Sequence, residues 1–132
     1  MDYNLVGVPF NYQRVVSSGA GGNTTVEVVV PAGQIWLVKF MTAYHTDGAA
    51  SRVIVYYLDD AIAPAVNIQL PGGASVAANI RNDYPLGTYH KGPLVLSPGG
   101  LNIRVVCQAL AAAVNGIIEV HAHRIIGVSP LV

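Results

Sequence analysis

Apolar residues in this chain recur mainly at every second position, in short runs cut by proline and glycine, which is the rhythm of strands and tight turns. Thr24 to Val30 is β-branched except for Glu27, and Ile35 to His45 is the longest strand candidate. On that second run the even positions Trp36, Val38, Phe40, Thr42 and Tyr44 form one face and the odd positions the other. Both faces are largely apolar, so the run predicts a central strand or one whose outer face is covered by a partner, with Trp36 and Phe40 in the core. Arg52–Leu58, Val66–Leu70, Ser75–Ile80, Pro93–Ser97, Leu101–Ala109 and Gly116–Ile126 continue the series, and Gln13–Ser17 begins it.

Three stretches punctuate these runs: Pro31-Ala32-Gly33, Pro71-Gly72-Gly73 and Pro98-Gly99-Gly100. Proline presets φ and glycine supplies a positive φ, so each is expected to be a hairpin corner. Residues 1–13 are apolar but aperiodic and predict either a first edge strand or an N-terminal arm, and residues 127–132 a C-terminal tail. Arg81 to Gly87, with Thr88 to Lys91, is expected to be an exposed polar loop. The alanine run from Ala109 to Val114 is too short to nucleate a helix and is expected to be a loop of at most one helical turn. About eight strands at turn spacing predict an all-β protein, an antiparallel β-sandwich of jelly-roll type, in a single domain over residues 1–132.

Composition sharpens this picture. Charged residues make up 11% of the 132 positions and hydrophobic ones 52%, against roughly 25% charged in an ordinary globular domain. A chain this small has much surface to cover, so part of that apolar excess is expected to meet another chain. Seven basic and seven acidic residues give zero formal charge without a basic cluster, which removes the electrostatic basis for nucleic-acid or anionic membrane binding. The first residues show no signal-peptide pattern, and synthesis in a cytoplasm is expected. The single cysteine, Cys107, falls on the apolar rhythm of its strand and reads as a buried filler.

Candidate chemistry is sparse. Glu119, His121 and His123 share one face of a strand, as a metal site of the cupin kind would require, but no further ligand follows at a suitable interval. Asp59-Asp60 and Asp83 are explained by turns, and no serine lies in a nucleophile motif. Tyr44, Tyr56, Tyr57, Tyr84 and Tyr89 invite a sugar-stacking surface, although Tyr56 and Tyr57 must face opposite ways. Neither an enzyme activity nor a cofactor is expected.

Two segments carry a resemblance. Val30-Pro31-Ala32-Gly33-Gln34-Ile35-Trp36-Leu37-Val38 and Leu94-Val95-Leu96-Ser97-Pro98-Gly99-Gly100-Leu101-Asn102-Ile103-Arg104-Val105 resemble paired stretches in small β-sandwich virion proteins of tailed bacteriophages. There a strand ending in Pro-Ala-Gly leads into a Trp-containing strand, and a later Ser-Pro-Gly or Leu-Pro-Gly corner into an Ile-Arg-Val strand. The likeness spans residues 26–126 and implies a structural role as a head decoration, or cement, protein on the capsid surface. It further implies a homo-oligomer, a trimer, bound to the major capsid protein of a phage head. A tail or fibre component and a carbohydrate-binding module are the alternatives. Contacts are expected on the N-terminal arm (Tyr3, Leu5, Phe10), the polar loop (Arg81, Asp83, Tyr84) and the tail (Leu131).

Overall fold

The computed structural model describes residues 3–60, 66–69, 74–84 and 94–130; for 3–6, 60, 66–69, 74 and 126–130 the description is of the backbone. Ten strands follow in order: β1 (Tyr3–Ser17), β2 (Gly22–Glu27), β3 (Ile35–His45), β4 (Arg52–Asp60), β5 (Val66–Gln69), β6 (Ala74–Val76), β7 (Asn82–Asp83), β8 (Leu94–Leu96), β9 (Leu101–Leu110) and β10 (Asn115–Pro130). They form two antiparallel sheets packed as a sandwich, with no helix among the described residues. Sheet A runs β1-β10-β3, with β7 and β8 laid along the far side of β3. Sheet B runs β2-β9-β4, with β5 and β6 laid along β4. Counting each pair of fragments as one interrupted strand, first pairs with last, second with seventh, third with sixth and fourth with fifth, alternating between the sheets.

The inward positions build the core. Sheet A contributes Val38, Met41, Ala43, Leu94, Leu96, Ile118 and Val120, and sheet B contributes Val26, Ile54, Tyr56, Ile103, Val105 and Cys107. Gly116 lets the two sheets approach closely, because a Cβ there would lie 3.2 Å from Cys107 Sγ and from Val26 Cγ2. Cys107 is fully buried, as expected, and burial pushes its thiol up to about 11.

The corners turn as expected but do not make hairpins. At Pro31 the Gln34 N–H donates to the Pro31 carbonyl at 3.1 Å with Gly33 at φ 80°, yet β2 pairs with β9 and β3 with β10. At Pro98 the Gly100 N–H closes onto Ser97 at 3.2 Å, and β8 lies in sheet A while β9 lies in sheet B. Both corners carry the chain from one sheet to the other. Proline and glycine set the reversal, whereas the partner of each strand is chosen by distant apolar faces. The Pro71 corner lies outside the described residues.

The alternation expected along β3 is inverted halfway. Phe40 is opposite His121 and Val38 opposite Ala122, so Lys39 is an extra residue, a β-bulge. Before it the even residues Trp36 and Val38 are buried; after it the odd residues Met41, Ala43 and His45 are. Trp36 is therefore in the core as expected, and Phe40 is a correction, since the bulge turns it outward to 41% exposure. β3 is central in sheet A, and its two apolar faces reflect the bulge as well.

Residues 3–13 form the first three-quarters of β1 rather than a separate arm, paired along their length with β10. The segment from Ala109 to Val114 ends β9, crosses between sheets and reaches β10 without a helical turn, with Ala109 and Ala113 at positive φ. Within the expected polar loop, Asn82–Asp83 instead pairs with Thr42 and Ala43.

Candidate functional site

β10 alternates cleanly, with Ile118, Val120 and Ala122 inward and Glu119, His121 and His123 outward. The outward residues occupy the middle of the sheet A surface because β10 lies between β1 and β3. Glu119 faces Gln13 on one side and Thr42 on the other, and His121 faces Asn11 and Phe40. Strand register, not sequence proximity, assembles this surface.

Glu119 is its hub. Gln13 Nε2 donates to Glu119 Oε1 at 3.1 Å, Tyr44 Oη donates to the same oxygen at 3.3 Å, and the Arg81 guanidinium pairs with Oε2. The Arg81 guanidinium also lies 4.9 Å from the centre of the Tyr44 ring. Chiefly through the Arg81 hydrogen bond, the Glu119 carboxyl is held below the usual carboxylate range. Beside the hub, Phe40 meets the His121 ring edge to face at 5.7 Å. Asn11, Tyr12, Gln13, Glu119 and His121 line a shallow concavity of about 260 Å³. Thr42, between Glu119 and Asp83 in register, is fully buried, and its Oγ1 has no hydrogen-bond partner among the described residues.

This arrangement ties three strands and the Arg81 segment together, and apolar groups are exposed on the same face. Val15 is 51% exposed on β1, Ile35 43% and Phe40 41% on β3. A carboxylate already engaged by Arg81, Gln13 and Tyr44 is poorly placed to ligate a metal. No group of three histidine, cysteine or acidic side chains suited to a metal occurs among the described residues.

The expected contact residues scatter. Arg81 is on this surface, and Asp83 is exposed opposite Thr42. Tyr84 is not exposed: it is 5% accessible in the core, its ring edge to face with Tyr56 at 5.1 Å, and burial pushes its hydroxyl up to about 12. The Asn82–Asp83 rung on β3, followed by a hydrogen bond from Tyr84 N–H to Met41 O, turns that ring inward. Phe10 is half-buried, edge to face with Trp36 at 4.8 Å. The backbones of Tyr3 and Leu5 lie on β1, and Leu131 lies outside the described residues. Of the tyrosines considered for sugar stacking, Tyr56 is buried, Tyr44 lies under Arg81, Tyr57 lies 4.0 Å from the Arg104 guanidinium, and Tyr89 is outside the described residues.

A second polar knot sits at one end of the sandwich and was not expected. Asp47, 1% exposed, accepts from Ala49 N–H at 2.9 Å, from Ala111 N–H at 2.9 Å and from Arg52 Nε at 2.7 Å. Its own N–H donates to His45 Nδ1 at 3.1 Å, which leaves the His45 proton on Nε2, 2.7 Å from the Val76 carbonyl. The Ala111 and Ala49 amides, with Arg52, hold the Asp47 carboxyl at about 2, against the opposing effect of burial.

Comparison with family models, with curated proteins and with solved structures gave no match.

Proposed function

We propose that the protein is a structural virion subunit of the tailed-phage kind, a decoration protein that attaches to the major capsid protein and stabilises the head through added contacts. The observation that carries this reading is the outer face of sheet A, where Val15, Ile35 and Phe40 are exposed on the face that bears the Glu119–Arg81–Tyr44 tie. Exposed apolar groups on a stiff sheet, rimmed by polar ones, suit docking onto another protein. The nested pairing of first with last and second with seventh strand is how a jelly roll is wound, which supports the resemblance in the Pro31 and Pro98 segments.

The test is sedimentation with purified virions, or empty heads, of the virus that encodes the chain. Wild-type protein is expected to sediment with the particles and to be seen on the head by immunogold labelling. Phe40→Asp is expected to remain in the supernatant, its unfolding midpoint within about 3 °C of wild type, as for a surface change. Wild-type protein that never sediments would refute the reading, and label confined to the tail would replace the head assignment with the tail one.

A further inference from the structure

Sheets end in edges, and an edge strand presents unpaired N–H and C=O groups that template pairing with another chain. Among the described residues three of the four edges are short. Along β3 the described outer fragments have two and three residues, and along β4 four and three. β2 has six residues. β1 has fifteen, and among the described residues its only strand neighbour is β10.

The phase of that long edge can be read from its hydrogen bonds. Ser18 N–H donates to the Val114 carbonyl at 2.7 Å, and the register continues from Ser17 opposite Asn115. In an antiparallel pair, residues bonded to the neighbour alternate with residues bonded away from it. Even residues from Phe10 to Val16 thus bond to β10, and Asn11, Gln13, Val15 and Ser17 direct their amides to the open side. Pro9 has odd phase too, so its missing donor leaves the β10 ladder intact and marks one limit of the open edge.

Within that window the usual guards are lacking. There is no lysine, and the one charged residue, Arg14, directs NH1 to the Glu27 carbonyl at 3.0 Å on the other sheet. The bulge in β1 falls between Val6 and Gly7, beyond the window.

We propose that this edge pairs with itself: two copies join β1 to β1, antiparallel about a two-fold axis at Gln13, making sheet A continuous between them. A second copy is the occupant because the edge is complementary to its own reverse. With Gln13 opposite Gln13, Asn11 meets Val15, Ser17 meets Pro9, Phe10 meets Val16, and Tyr12 stands opposite Arg14. About eight backbone hydrogen bonds form. Sliding toward the corner by one rung would oppose Arg14 to Arg14, and sliding the other way would set Ser17 against Gly7 beside the bulge and leave about six bonds within the window, so charge and the bulge favour one register. The inference puts a two-fold dimer in place of the trimer that the resemblance implies, and it rests on the edge alone. A dimer that ignores virions would leave it standing, and a monomer that binds virions would overturn it and spare the virion reading.

Sedimentation velocity from about 1 to 100 μM tests it, together with two variants. Wild type is expected to dimerise. Gln13→Pro removes an amide from the open side only, and is expected to give a monomer with an unchanged circular dichroism spectrum. Under oxidation Gln13→Cys is expected to form a disulfide dimer about tenfold or more faster than Asn11→Cys, since only residue 13 faces itself at disulfide spacing. Cys107 is buried and does not compete. If Gln13→Pro does not fold, the cysteine pair decides. A wild-type monomer or trimer, a dimer that survives Gln13→Pro, or equal cross-linking at 11 and 13 would each overturn the proposal.

Discussion

Asp47 and Glu119 are both carboxylates that collect several donors, one inside the protein and one on its face. Asp47 takes two of its donors from the backbone, at Ala49 and Ala111, and is 1% exposed. Glu119 takes all its donors from side chains, at Gln13, Tyr44 and Arg81, and its side chain is 20% exposed beside an Arg81 that is 50% exposed. Water can replace the partners of Glu119 when they move, whereas no such replacement reaches the amides at Asp47. The first carboxylate joins the β3–β4 loop to the β9–β10 crossing and so holds one end of the sandwich shut. The second arranges a surface.

The largest effect should come from removing the buried partner. Asp47→Ala strands the Ala49 and Ala111 amides and the Arg52 guanidinium, and is expected to lower the unfolding midpoint by ~10–20 °C in calorimetry. Acid should then separate the two sites by degree. Asp47 titrates near 2 in the folded protein against an ordinary 3.8. Its stabilisation is thus complete above about pH 4 and fades as pH falls toward 2. Asp47→Asn should flatten that acid limb of the midpoint-against-pH curve, and an unchanged limb would show that other carboxylates govern it. Glu119→Gln should have the smallest effect, a midpoint shift of under ~3 °C that shrinks further in 1 M salt. A larger, salt-independent loss would mean that Glu119 carries structural load comparable to Asp47.

The strand class and several element bounds were readable because they are local. Ile35–His45 follows from its apolar run and a proline-glycine boundary, and it is the observed strand. What failed depends on distant partners. Nothing around Lys39 announces a bulge, because the extra residue is defined only against His121 and Ala122, and so Phe40 was assigned to the wrong face. Tyr84 read as loop since the groups that bury it, Met41 and Tyr56, lie elsewhere in the chain. The surface was legible in parts: Glu119 and His121 share a face by period two, and Arg81 was singled out as a contact residue. Their meeting was not legible, because 38 residues separate Arg81 from Glu119. In the sequence Asp47 shows only an aspartate before glycine, ordinary turn chemistry, and only the Ala111 amide reveals more.

The pairing of β1 with β10 has a consequence for synthesis. The tenth strand to emerge from the ribosome belongs between the first and the third, so sheet A has a gap in its middle until Asn115–Pro130 is available. Contacts that close so much chain form slowly, and nascent chains wait with two open strand edges in the meantime. Sheet A therefore closes only once β10 has emerged, and insertion between β1 and β3 is the step on which its folding waits.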